Sequence, residues 1–245
     1  MKKGILILLG LVLIGAGLAS CGGGPSTKVR VATDATWPPF EYVDDATKAI
    51  VGFDIDFMNA VAAKENLDIE FVNVAWDPLL AGMAQGTYDA AISSITITED
   101  RKKDMLFSDP YYAAGQIVVV QKSNTTVTNK NDLTGKVGAQ IGTTGAMEVE
   151  KITTATLKTY DDIGLAFQDL MNGQITAVVC DNPVAVQYVG KNPDKLKLAG
   201  TVFTDEYYGV AVAEGKTELL EKINDGIKKV LAEGIIKTLE EKWSK

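Results

Sequence analysis

Tyr88-Asp-Ala-Ala-Ile-Ser-Ser-Ile-Thr-Ile-Thr-Glu-Asp-Arg101 is the stretch on which the fold turns. Tyr88 to Ile92 reads as a buried strand, and the polar segment from Ser93 is delivered at its C-terminal end. Hydroxyls at Ser93, Ser94, Thr96 and Thr98 alternate with Ile95 and Ile97, the pattern of a half-buried strand end running into a helix start, with Thr98 as N-cap. Side chains two apart share a face, so the Ser94 and Thr96 hydroxyls are expected to point the same way. Arg101 could reach over them and hold a carboxylate with two parallel hydrogen bonds. The plainer alternative has Arg101 pairing with Glu99, Asp100 or Asp104 on a solvated helix.

Working outward, strand-like and helix-like segments alternate. Val29–Thr33 reads as a strand, followed by an aromatic loop, Asp34-Ala-Thr-Trp37-Pro-Pro-Phe40-Glu-Tyr, in which paired prolines argue against a strand. Gly52-Phe53-Asp54 opens a helix to about Asn66, with Phe53, Phe57, Met58 and Val61 as the buried stripe. Ile69–Val74 is a second strand. Trp76 precedes Asp77-Pro78, read as N-cap and first-turn proline of a helix to Gln85. Strands and helices at this spacing predict an α/β fold with mostly parallel sheets, whose ligands sit beyond the carboxyl ends of the strands. Asp34, Trp37, Trp76, Ser94 and Thr96 all fall at such ends.

A second unit follows Asp109-Pro-Tyr-Tyr-Ala-Ala-Gly115. Its strands are read at 116–121, 136–140, 156–160, 177–180 and 196–199, and its helices at 161–172 and 184–190. Ile141-Gly-Thr-Thr-Gly-Ala146 opens a further helix whose exposed N–H groups favour an anion. It lacks the Gly-Lys-Ser/Thr of a phosphate loop. Asp181 is read as the cap of the helix at 184–190, or as a ligand-facing acid. Asp205-Glu-Tyr-Tyr-Gly209 leads into a strand at 210–213, and amphipathic helices are expected at 217–232 and 235–243. No sequence repeat accompanies the similar rhythm of the two units.

Met1–Ser20 has two lysines, an apolar run and the ending Leu18-Ala-Ser-Cys21, the pattern of a secretory signal. The cysteine after small residues resembles a lipobox, with Cys21 freed and lipidated. Gly22–Thr27 then serves as a flexible tether and acyl chains hold the protein to a membrane; an uncleaved anchor helix is the alternative. Residues 1–20 carry two lysines and no acid, so the remainder has 22 basic and 32 acidic side chains, a net charge of −10. That balance argues against nucleic acid as a partner. The chain has no histidine, which removes the usual general base and the commonest metal ligand, and Cys180 is the one cysteine besides Cys21.

The chain resembles the polar amino-acid-binding proteins of ABC importers, the glutamine, histidine and lysine/arginine/ornithine receptors. The resemblance rests on Ala32-Thr-Asp-Ala-Thr-Trp-Pro-Pro-Phe-Glu, Gly52-Phe-Asp-Ile-Asp, Trp76-Asp-Pro-Leu, Ile95-Thr-Ile-Thr-Glu-Asp-Arg, Phe107-Ser-Asp-Pro-Tyr-Tyr, Gly142-Thr-Thr-Gly and Cys180-Asp-Asn-Pro. It implies a two-lobed, type II periplasmic-binding-protein fold with two hinge strands, near 111–115 and 205–209, and a ligand cleft between the lobes. Lobe 1 would be 28–111 plus 208–245, and lobe 2 would be 114–204.

Carried over, Arg101 would fork the α-carboxylate of a free L-amino acid, helped by Thr96 and Thr144. Asp181 and Ser94, with Ser93 beside them, would take the α-ammonium. Trp37 and Trp76 would wall the side chain, and Asp34 and Gln140 would meet its far end. Glutamine receptors commonly carry lysine at the Gln140 position and histidine at the Cys180 position. Their absence beside Asp34 favours arginine, lysine or histidine, with glutamine the alternative. The partners implied are a membrane permease and its ATPase, and the receptor is expected to be a monomer without cofactor or metal. An enzyme on the same scaffold, such as a dehydratase, is the rival reading; it lacks a histidine or an evident base–nucleophile pair.

Overall fold

The computed structural model describes residues 28–243, so the expected signal over 1–20, the lipidated Cys21 and the tether lie outside the described residues. The first unit runs β1 (Val29–Thr33), β2 (Thr36–Trp37), β3 (Glu41–Val43), β4 (Ile50–Val51), α1 (Phe53–Glu65), β5 (Ile69–Asn73), α2 (Trp76–Ala84), β6 (Ala90–Ala91) and β7 (Leu106–Phe107). β8 (Tyr112–Ala114) then leads to the second unit, β9 (Gln116–Gln121), β10 (Gly135–Gln140), α3 (Thr144–Glu150), β11 (Ala155–Tyr160), α4 (Ile163–Met171), β12 (Ala177–Asp181), α5 (Asn182–Lys191) and β13 (Leu196–Ala199). The chain returns through β14 (Glu206–Tyr208) to β15 (Ala211–Val212), α6 (Thr217–Ala232) and α7 (Ile235–Trp243).

Two five-stranded sheets result, ordered β5-β1-β6-β15-β7 and β11-β10-β12-β9-β13. In each, four strands run the same way and the fourth in order, β15 or β9, is opposed. Apart from the opposed strand, which comes last along the chain in the first sheet and first in the second, the strand order is the same in both, although the sequence shows no repeat. Between the sheets β8 and β14 pair as an antiparallel ribbon, Tyr112 opposite Tyr208 and Ala114 opposite Glu206.

The elements follow from their residues. Val-rich β9 and β12 are buried along almost their whole length, as expected for strands covered on both faces. α1 buries Phe53, Phe57, Met58 and Val61, the stripe read from sequence. α6 packs on α1 at Gly226, where a Cβ would come within 2.8 Å of a Val61 methyl. α4 buries Ile163, Ala166, Phe167 and Leu170 against the second sheet.

Four local expectations are corrected. The segment after Asp34 is not all loop: β2 and β3 pair across the Pro38–Pro39 turn, Trp37 opposite Glu41, and β4 completes a small sheet. α2 starts at Trp76 with Ala75 as its cap residue, so Asp77 sits within the first turn instead of capping it. The strand does not continue through Ser93–Thr98, because Ser94 takes a left-handed φ of 49° and its N–H donates to Asp54 at 2.7 Å. The turn after Thr98 is a three-residue 3₁₀ helix, Arg101–Lys103, although the Thr98 hydroxyl does accept from the Arg101 N–H at 3.2 Å.

Candidate functional site

The carboxyl ends of β1, β6, β10 and β12 converge on a small cavity of about 20 Å³. Every residue selected from sequence lines it: Asp34, Trp37, Trp76, Ser93, Ser94, Thr96, Arg101, Gln140, Thr144 and Asp181. Glu41 and Thr143 line it as well.

Arg101 is buried, and its guanidinium donates to the Thr96 carbonyl at 2.8 Å and to the Gly142 carbonyl at 3.2 Å. The surface ion pairs near it belong to its neighbours, Lys102 with Glu99 and Lys103 with Asp100. Its guanidinium carbon lies 5.1 Å from the Trp76 ring centroid, so one face of that indole is already taken by a protein cation. Burial pushes its pKa down to about 10, against the pull of Asp181 and Glu206, and it stays charged at neutral pH.

Asp181 begins α5, but its side chain makes no capping bond. Its carboxylate accepts from Gln116 Nε2 at 2.6 Å and from the Tyr208 hydroxyl, which holds it facing the cavity instead of the helix. Burial raises its pKa to about 6, since a carboxylate without water is costly. Thr96 and Thr144 share one further partner that the sequence did not suggest: both hydroxyls donate to Glu206 on β14, at 3.0 and 2.8 Å. Thr143, the cap of α3, accepts from the Ala146 N–H at 3.3 Å.

At the other end, Asp34 accepts from Thr36 at 3.0 Å and from Gln140 Nε2 at 3.0 Å. Its pKa is raised by burial and partly restored by those hydrogen bonds. The Asp34 N–H donates to the Ser93 hydroxyl at 2.9 Å, and that hydroxyl donates on to Glu41 at 3.1 Å. Ser93 therefore ties the Asp34 backbone to the Glu41 carboxyl. Glu41 is fully buried, 3.4 Å from the Ser94 hydroxyl and hydrogen-bonded to the Asp54 carboxyl, and burial beside that second acid raises its pKa well above the usual range. Asp54 also accepts from the Tyr111 hydroxyl at 2.8 Å, and its own pKa is raised by burial to about 6. Among the described residues, the buried indole N–H groups of Trp37 and Trp76 have no hydrogen-bond partner.

Sequence reasoning missed Glu41, Gln116, Glu206 and Tyr208. Glu41 carried one signal, an acid between two aromatics that should otherwise be solvated. The other three lie on strands whose pairing alone brings them against the lining residues Thr96, Thr144 and Asp181.

The chemistry available is binding: a buried guanidinium at one end, acids at the other and across from it, and aromatic walls. Known proteins agree. The chain is 36% identical over 251 residues to a probable histidine-binding protein of Neisseria gonorrhoeae, covering 96% of this chain and 92% of that one. It is 34% identical over 250 residues to a putative ABC transporter arginine-binding protein 2 of Escherichia coli, covering 99% of each. Among solved structures, an ancestral arginine-binding protein bound to arginine superposes with a TM-score of 0.84 at 41% identity, over 89% of this chain and 98% of that one. An ancestral arginine-binding protein bound to glutamine gives 0.83 at 41% identity, over 90% and 99%. Residues 29–245 match the model of the bacterial extracellular solute-binding proteins, family 3, and the chain belongs to that family, as an extracytoplasmic, non-enzymatic receptor for polar amino acids in ABC import.

Proposed function

We propose that this receptor takes a basic L-amino acid, arginine foremost, with glutamine as the second candidate. The observation that carries the reading is the charge of the lining: three acids, Asp34, Glu41 and Asp181, against one cation, Arg101. A zwitterion occupies Arg101 with its carboxylate and Asp181 with its ammonium, and leaves the acids at the far end for a cationic side chain. A buried acid is stabilised strongly only by a partner of opposite charge, so the pocket favours an occupant that brings one. In this reading Thr96 and Thr144 assist the carboxylate, Ser93 and Ser94 the ammonium side, Trp37 and Trp76 wall the stem, and Asp34 with Gln140 orients the terminal group.

Residues 28–111 with 208–245 act as one lobe and 114–204 as the other, and the β8–β14 ribbon is the hinge on which they close. The separation of the strands into two sheets supports that division. The loaded form docks on a permease with its ATPase, as a monomer held by acyl chains at Cys21. No helix among the described residues is long and apolar enough to cross a membrane. Metabolic labelling with a palmitate analogue tests the anchor: a Cys21→Ala chain that still labels would refute it.

The decisive test is calorimetric titration of the full chain, purified in detergent and stripped of bound amino acid by unfolding and refolding. L-Arginine is expected to bind at least about tenfold more tightly than L-glutamine, a difference of about 1.4 kcal/mol. Tighter binding of glutamine would move the specificity to amides, and binding of neither would remove the reading.

A further inference from the structure

The Glu41–Asp54 pair has no part in gripping the backbone groups of an amino acid, yet one of its carboxyls lines the cavity. Glu41 sits on β3, and the groups facing it come from every element around it. Asp34 follows β1, and Asp54 lies on α1 and shares a hydrogen bond with it. Ser93 and Ser94 follow β6. Tyr111 precedes β8 and donates to Asp54, while Tyr208, on β14, donates to Asp181. Arg101, the cation of the lining, is drawn to Asp181 and Glu206. Two carboxyls that share a hydrogen bond within the protein hold one proton between them, because a second negative charge there would have neither water nor a cation beside it.

We propose that Glu41 determines which side chains the pocket accepts by carrying or giving up that proton. With an amide side chain it stays a carboxylic acid whose proton remains in the bond to Asp54, and its cavity-facing oxygen accepts from the ligand amide N–H. With a guanidinium or ammonium it releases the proton to solvent and meets the cation as a carboxylate. The inference rests on the proposed amino-acid ligand and adds to it a means by which one cavity takes both a charged and a neutral side chain. The burial and raised pKa of Glu41 and of Asp54 are consistent with a proton held there at neutral pH.

The ligand's α-groups and Asp181 contribute equally to both ligands, so the difference between them isolates Glu41. The full chain is titrated with L-arginine and with L-glutamine at pH 7 in buffers of different ionisation enthalpy. Arginine is expected to release about one proton more than glutamine, and the ratio of its affinity to that of glutamine to rise about tenfold per pH unit over the range where Glu41 is protonated. Glu41→Gln should abolish the extra proton and weaken arginine by about tenfold or more, keeping glutamine within about threefold. Asp34→Asn should retain the extra proton, which separates the two acids. Equal proton release for the two ligands in the unmutated chain overturns the proposal yet leaves the receptor reading standing, as does loss of the extra proton in Asp34→Asn but not in Glu41→Gln. Failure of both amino acids to bind removes both readings. The unmutated chain's pH profile decides the matter even if Glu41→Gln does not fold.

Discussion

Asp181 and Asp54 are wholly inside the protein, each with its pKa lifted by burial from 3.8 to about 6. In the unfolded chain both return to ordinary carboxylates. Between about pH 4 and pH 6 the folded state therefore holds protons that the unfolded state has lost, and stability falls as pH rises through that window. Above about pH 6 the penalty from these two acids is constant, and the proton that Glu41 still holds in the folded state keeps stability falling as pH rises further. Thermal unfolding of the ligand-free protein should show its melting temperature decreasing from pH 4 to pH 6.5, and a rise over that range would contradict the burial of these acids. In the proposed binding mode the ammonium of the amino acid meets Asp181, so the increase in melting temperature on adding ligand should be larger at pH 7 than at pH 4.5. Asp34 gives a complementary prediction at neutral pH: Asp34→Asn removes charge but keeps a hydrogen-bonding group of the same shape. Arginine affinity should drop about thirtyfold or more and glutamine affinity only a few-fold, the range for losing a charged partner compared with a neutral one. Equal losses by calorimetry would dismiss the side-chain role.

The turn between β10 and α3 is the element on which apposition of the two sheets rests most visibly. Gly142 there has φ of 68°, and a Cβ on it would lie 2.8 Å from the Asp77 carboxylate and 3.3 Å from the Trp76 indole nitrogen, both on α2. Its carbonyl accepts from Arg101. Gly142→Ala combines a left-handed backbone penalty of about 1 kcal/mol with a clash that exists only when α2 and this turn meet. The ligand-free variant should melt only a few degrees lower. Its ligand affinity should fall about tenfold, and unchanged affinity would mean that binding does not require the approach. Elements were legible in the sequence wherever one face or both faces met the core, as in α1, α4, β9 and β12. β2 and β3 were not, because strands of two or three residues have no periodicity to detect. In the Ser93–Arg101 stretch, Ser93, Ser94, Thr96 and Arg101 line the cavity, but the backbone departs from the expected strand. Alternation predicted a strand, but Asp54, forty positions earlier, pulls the Ser94 N–H into a left-handed bend. A local pattern cannot register a partner that arrives by tertiary folding.

On the scale of the molecule, the ten residues picked from sequence surround one cavity because most sit at strand ends of the α/β wiring or at the helix starts that follow them, positions that periodicity reveals. Arg101 reaches in from the 3₁₀ helix beyond β6. Glu206 and Gln116 escaped since only the β8–β14 crossing and the opposed strand β9 bring them against the lining residues. If the lobes close about that crossing, small-angle scattering of the stripped protein should show the radius of gyration shrinking when arginine is added. An invariant radius would speak against closure. The same wiring has a consequence for the order in which the chain is made. β15, the strand inserted between β6 and β7, lies more than a hundred positions after them. As the polypeptide emerges, its first hundred residues must wait with a gap in the middle of their sheet, while the later, uninterrupted half can complete its own. A protein that works outside the cytoplasm is thus kept from finishing its amino-terminal body until nearly its last residues are out. Nascent chains stopped before Ala211 should resist protease over 116–199 and be cut readily upstream. For such a protein, late completion is compatible with threading through a membrane.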